Sequence, residues 1–428
     1  MNMPTRLRSN ERLSKLMSRI GRTPTLVLES ERMTLIKGTE IRSISAPVRI
    51  PGNNRVVLKL EHLRRFNPTG SAYDRLYPHL IRDLELRGTI HAATPLIECS
   101  VGNAGAAFAW ACRELGYSNY SVILPTDIYS ARIRTVRDLG AKIIFSPPDV
   151  GPAGYVQLIE DLAFKRPQGD RNVPDRTIPV SKIARTPVAP YSRLADEVLS
   201  SLAAAGVPTV DTFVFGVGSG NTISGVGAAV KERNTGTKVV CAEFIERPYV
   251  KVIKEGRTPP IGGTWIDTAY IAGTIHGVTP DKLNLDVAVI DDVMVFGRED
   301  RDEALDVLNA TLGLRAGRTS ALAWAAVWEM TRRVTDQTIL TIIFDDLAKY
   351  ELFAPPAYDV FLDSGALRVS ALTPPEDPSV IRPLKWGSER AGFSPGTAVR
   401  GRSGGEQAFD AIDGSLALKG HKSASPTL

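Results

Sequence analysis

The run Gly216-Val217-Gly218-Ser219-Gly220-Asn221-Thr222 follows an apolar strand candidate, Thr212 to Phe215, and opens a segment of helical periodicity. Glycines between a strand and a helix start leave backbone N–H groups exposed, and the helix dipole favours negative charge there, so this turn suits a phosphate. The same glycines also serve a tight turn with no ligand, and they do not by themselves separate the two readings. A dinucleotide site needs G-x-G-x-x-G, whereas Gly216, Gly218 and Gly220 fall at every second position, although Glu243 in the next strand lies at a suggestive distance. A lone phosphate fits this spacing better than NAD.

A second strand-to-helix turn, Glu98-Cys99-Ser100-Val101-Gly102-Asn103-Ala104-Gly105, offers backbone N–H groups to a smaller anion such as a carboxylate, with Asn103 as an added polar group. Alone, such a turn is more often structural. A third segment, Asn67-Pro68-Thr69-Gly70-Ser71-Ala72-Tyr73-Asp74-Arg75, predicts a capped helix start, with Ser71 as N-cap and Asp74 as its capping-box partner.

The elements that must position these turns alternate along the chain. Val56 to Leu60, Pro95 to Glu98, Ser121 to Leu124, Lys142 to Ser146, Thr212 to Phe215, Val239 to Phe244 and Thr338 to Phe344 have strand character. Between them Ala72 to Arg87, Ala104 to Leu115, Ala131 to Leu139, Ser192 to Ala204, Ser224 to Arg233, Glu299 to Leu312 and Ser320 to Arg333 have helical periodicity. This rhythm predicts an α/β fold of two lobes, each a mostly parallel twisted sheet with helices on both faces. A chain of 428 residues, 43% hydrophobic, is long enough for two such lobes.

Composition excludes several function classes. Cys99, Cys112 and Cys241 are odd in number and widely spaced, and five scattered histidines form no ligand cluster, so neither a disulfide framework nor a metal site is signalled. The net charge of +5 is modest, and the basic run Arg6, Arg8, Arg12, Lys15, Arg19 and Arg22 lacks the aromatic interleaving of a nucleic-acid site. It is expected to be a solvated, partly frayed leader. No apolar stretch is long enough to span a membrane and no secretory signal precedes the fold, so a cytoplasmic location is expected. Beyond Leu362 the chain turns to Pro, Gly and Ser with little periodicity, which predicts a flexible tail.

Taken together, in this order and at these distances, the three segments resemble the fold-type-II pyridoxal-phosphate (PLP) family that includes cysteine synthase and cystathionine β-synthase. The resemblance runs from Ile20-Gly21-Arg22-Thr23-Pro24, similar to the family's I-G-N-T-P, to Asp345-Asp346-Leu347-Ala348-Lys349-Tyr350, similar to its D-S-G-E-R-Y. It implies that Gly218, Ser219, Gly220, Asn221 and Thr222 form the cofactor's phosphate cradle. It places Ser100, Val101, Gly102, Asn103, Ala104 and Gly105 on the loop that binds the substrate carboxylate, with Asn103 beside the cofactor's phenolic oxygen. Gly317-Arg318-Thr319-Ser320-Ala321 resembles G-I-S-S-G, which implies Thr319, then Ser320, as the hydroxyl facing the pyridine nitrogen. The implied organisation is a leader over 1–18, a larger cofactor-phosphate lobe over 19–55 and 150–362, a smaller substrate-loop lobe over 56–149, and a tail over 363–428.

One departure is decisive. The family reads N-P-x-G-S-x-K-D-R, and this chain has Tyr73 at the lysine. Tyrosine cannot form the Schiff base that anchors PLP, and as the catalytic base it would need a strongly lowered pKa. Lys59 lies in the preceding strand and reads as structural. Three functions remain in view. The first is β-replacement or β-elimination on an amino acid with PLP held noncovalently and Tyr73 or a distant lysine as base; the second is a lysine-less ligand-binding or regulatory scaffold that holds a small amino-acid-like anion or a partner enzyme without turnover; the third, an NAD-type oxidoreductase, is distant. Neither a nucleic-acid nor a membrane partner is expected, and the resemblance implies a homodimer.

Overall fold

The computed structural model describes residues 11–125, 128–146, 151–164, 177–184, 189–207, 209–246, 248–259 and 283–350. Residues 11–17 form helix α1, followed by strands β1 (Thr25–Leu28), β2 (Arg32–Lys37), β3 (Glu40–Ser45) and β4 (Arg55–Leu60). Helix α2 (Tyr77–Leu86), β5 (Leu96–Cys99), α3 (Asn103–Leu115), β6 (Tyr120–Pro125), α4 (Ser130–Asp138), β7 (Lys142–Ser146) and α5 (Gly151–Phe164) come next. After β8 (Ile178–Pro179) and α6 (Val180–Ile183) the chain runs through α7 (Ala189–Ala204), β9 (Thr212–Gly216), α8 (Asn221–Arg233), β10 (Lys238–Phe244) and α9 (Val250–Lys254). Strand β11 (Asp292–Phe296), α10 (Arg298–Asp306), α11 (Arg318–Thr331) and β12 (Thr338–Ile343) complete it.

Two sheets result. The larger has eight strands in the order β11-β10-β9-β12-β4-β1-β2-β3, and the smaller has four in the order β7-β6-β5-β8. The smaller sheet is wholly parallel, as is the β11-to-β4 half of the larger one. Strands β9 and β12 are buried along their whole length, as apolar strands covered on both faces must be. The remaining three strands, β1 to β3, add antiparallel at one edge, which the parallel rhythm did not foreshadow.

Three boundaries differ from the sequence expectation. Strand β4 pairs with β1 and β12, so residues 56–60 belong to the larger sheet and not to the smaller lobe. Strand β8, drawn into the larger lobe from sequence, pairs with β5 instead. The leader is the third case: Leu13, Leu16 and Met17 of α1 are 6%, 4% and 7% exposed and join the main core, and Arg19 pairs with Glu114. Apolar residues spaced three and four apart made this a packed amphipathic helix, which its basic charge obscured. Residues 1–10 and the proposed tail over 363–428 lie outside the described residues.

Among the described residues no helix is long and apolar enough to cross a membrane. No group of His, Cys, Asp and Glu there could hold a metal ion. Among the described residues no disulfide links Cys99, Cys112 and Cys241.

Candidate active site

Two of the three chemical segments lie where a parallel strand, β9 or β5, gives way to a helix, and the third, residues 67–75, follows β4 after a short connection. Ser219 and Gly220 lie between β9 and α8, and Gly220 takes the N-cap position in the left-handed region at φ 88°. Among the described residues, the backbone N–H groups of Gly218, Ser219, Gly220, Asn221 and Thr222 have no protein acceptor. The first amides of a helix have no intrahelical partner, so this cluster is free to bind an anion. The Ser219 hydroxyl lies 3.0 Å from Asn221 Nδ2 and 3.1 Å from the Tyr73 hydroxyl. A Cβ added at Gly218 would meet only the Tyr73 oxygen, at 3.9 Å.

Tyr73 therefore points into the same cradle. It sits in a 3-10 turn, Ala72–Arg75, whose N-cap Ser71 accepts from the Tyr73 N–H. Asp74 does not complete a capping box; its carboxylate turns back to accept from Thr69 N at 2.7 Å and Thr69 Oγ1 at 2.5 Å. The Tyr73 ring meets Phe344 edge-on at 5.1 Å. Burial pushes the phenol pKa upward, and the Ser219 hydrogen bond offsets this only in part. The side chain is thus a neutral hydroxyl at ordinary pH and not a base. Tyr191, whose ring packs on Gly225 of α8, has a second buried hydroxyl with no partner among the described residues.

The loop after β5 is held from outside by Arg132 of α4. Its guanidinium donates to Val101 O at 2.6 Å, and its stem fills the space a Cβ at Gly102 would need. Gly102, at φ 138°, could not easily be replaced. Ser100 Oγ accepts from Gly102 N at 2.9 Å, and Val101 is 39% exposed at the loop tip. Gly105 packs against Val122 and Ser100. Asn103, Ala104 and Gly105 form the first turn of α3, and their amides also lack described acceptors.

Phe344 and Asp345, just past β12, join the two turns. Phe344 carries the Tyr73 ring, while Asp345 Oδ2 accepts from Asn103 Nδ2 at 2.6 Å and from the Tyr350 hydroxyl at 2.8 Å. Asp345 Oδ1 is buried without a partner among the described residues. Thr319 lies 3.4 Å from the Tyr350 hydroxyl, placing it at the far end of this chain. Ser320 is fully buried and accepts from Phe344 N at 2.9 Å, which ties it to the backbone instead.

Two residues weighed from sequence have structural duties. Lys59 Nζ pairs with Glu197 at 3.0 Å and donates to Thr23 O at 2.5 Å. Glu243 accepts from the amides of Tyr249, Val250 and Lys251, which caps α9 and leaves no free carboxylate for a ribose. Sequence reading missed Asp345, Lys349 and Tyr350 as site residues, although they stand in the closing motif. That run names the neighbourhood, but their burial against Asn103 is a tertiary fact.

Comparison with known proteins places the chain in a family. The family described as pyridoxal-phosphate dependent enzyme matches residues 33–345. A cysteine synthase of Helicobacter pylori is 28% identical over 300 residues, covering 70% of this chain and 89% of its own. O-ureido-L-serine synthase of Streptomyces lavendulae is 25% identical, covering 78% and 89% respectively. The crystal structure of O-acetylserine dependent cystathionine β-synthase from Helicobacter pylori superposes with a TM-score of 0.61 at 26% identity, covering 78% of this chain and 96% of that one.

Proposed function

The chain belongs to the pyridoxal-phosphate dependent enzyme family, and from that premise we propose that it binds PLP and acts on an O-activated serine by β-replacement or β-elimination. The observation that carries this reading is the set of amides from Gly218 to Thr222, which have no described acceptor, beside a Ser219 hydroxyl that meets the Asn221 side chain. They suit the cofactor's phosphate, with Ser219, Asn221 and Thr222 supplying side-chain donors and the Tyr73 hydroxyl adding one more. Bound there, PLP would supply an electron sink for the carbon bearing the substrate's amino group. The free amides at the start of α3 suit the substrate carboxylate, and Arg132 fixes their loop. On this reading Thr319, whose hydroxyl lies 3.4 Å from that of Tyr350, would face the pyridine nitrogen, and the edge-on pair of Tyr73 and Phe344 would border the ring.

A second reading, a scaffold that binds the same ligand without turnover, is favoured by Tyr73 at the lysine position and by Val101 and Ala104 where the family has hydroxyls. One experiment separates them. Purified protein is titrated with PLP, its cofactor absorbance followed, and O-acetylserine and sulfide added. Saturable uptake with cysteine formation is the expected result. Uptake without turnover favours the scaffold, and no uptake of PLP ends both readings.

A further inference from the structure

Lys349 lies in the short turn Leu347–Tyr350 that follows β12. Its side chain is 3% exposed, and Nζ donates to Asn103 Oδ1 at 2.9 Å. Asn103 passes the contact on to Asp345, which also takes the Tyr350 hydroxyl. Lys59, buried as deeply, is neutralised by Glu197, whereas Lys349 has no ion pair within 4.0 Å among the described residues. A buried ammonium has three N–H donors to satisfy, and here one acceptor is described, an arrangement that suits a neutral amine better than a charged one.

We propose that Lys349 supplies the amine that condenses with the aldehyde carbon of PLP, the task residue 73 cannot perform. The proposal rests on reading this site as a PLP site. Asn103 is the residue that the resemblance sets beside the phenolic oxygen, and the ring carbon bearing that oxygen adjoins the one bearing the aldehyde. On that implied placement, an amine on Asn103 Oδ1 lies at the aldehyde end once Asn103 Nδ2 gives up its hydrogen bond to Asp345. The unprotonated Nζ attacks the carbonyl carbon, a C–N bond forms, and the carbonyl oxygen leaves as water with the two amine protons, giving a C=N bond. The groups that bias this amine are Asp345 and Asp74, which favour its charged form, and Arg132 and Arg64, which disfavour it. Burial outweighs the carboxylates and brings its pKa down to about 8.

The test uses the full-length protein, incubated with PLP, reduced with sodium cyanoborohydride, digested and mapped by mass spectrometry. A phosphopyridoxyl group on the Lys349 peptide is expected, absent from Lys349→Met. Its yield should climb from mildly acidic pH and level off above about 8, because only the neutral amine reacts. Retention of PLP on dialysis with the adduct elsewhere, or with none, overturns the Lys349 assignment and leaves the PLP-site reading standing. No retention of PLP removes both. The map of the unaltered protein decides the matter even if Lys349→Met fails to fold.

Discussion

Arg75→Met is expected to lower the unfolding free energy by about 3–5 kcal/mol, the usual cost of stranding the partners of a buried charge. Arg75 is 3% exposed and holds two carboxylates at once. It donates from Nε and Nη2 to Glu61 at 2.7 and 2.8 Å, and from Nη1 and Nη2 to Glu197 at 2.9 and 2.7 Å. Glu61 is fully buried and also takes Thr23 Oγ1 and Asn67 Nδ2, so three chain segments meet on one carboxylate. Burial alone would raise the Glu197 carboxyl, but Arg75 and Lys59 hold it down at about 2. Its folded pKa is thus depressed, and its contribution is present above the ordinary carboxylate value and lost as pH falls through about 2. Arg75→Met should remove most of that acid dependence. Urea denaturation across this pH range measures both effects; an unchanged midpoint would show that the network adds nothing. Because Arg75 ends the turn that carries Tyr73, the variant should also loosen the cradle's Tyr73 contact.

Gly220→Ala is the second large effect, this time on binding. The residue is left-handed at φ 88°, which costs an L side chain roughly 1–2 kcal/mol. A Cβ there would also lie 2.6 Å from Leu285 Cα and N, backbone atoms that cannot swing aside as a flexible side chain would. Relief requires the N-cap of α8 to move, and the free amides move with it. PLP affinity should weaken by at least about tenfold, which is 1.4 kcal/mol, while circular dichroism shows a folded protein. Equilibrium dialysis checks it, and undiminished affinity would place the phosphate elsewhere.

What the sequence revealed and what it hid follow physical lines. Val56 to Leu60 and Thr338 to Phe344 were legible as strands because each is a short, mostly apolar and β-branched run, and both lie at the centre of the larger sheet. Strand β3, with alternate residues exposed at an edge, carried too little apolar signal to be noticed, and β8 is only two residues long. The single helix expected over 72–87 is a 3-10 turn and then α2, separated at Leu76, with Pro78 in the first turn of α2. The strand-to-helix turn at 216–222 was readable because closely spaced glycines after an apolar strand mark a tight turn into a helix. Lys349 was not, because nothing in Ala348-Lys349-Tyr350 says that its amine turns inward onto Asn103.

The decisive measurement is a comparison of PLP with unphosphorylated pyridoxal on isotope-labelled protein, following the backbone amide resonances of Gly218 to Thr222. If the start of α8 grips the phosphate, these five signals move with PLP and stay in place with pyridoxal. Equal movement with both, or none with either, would contradict a retained cofactor cradle.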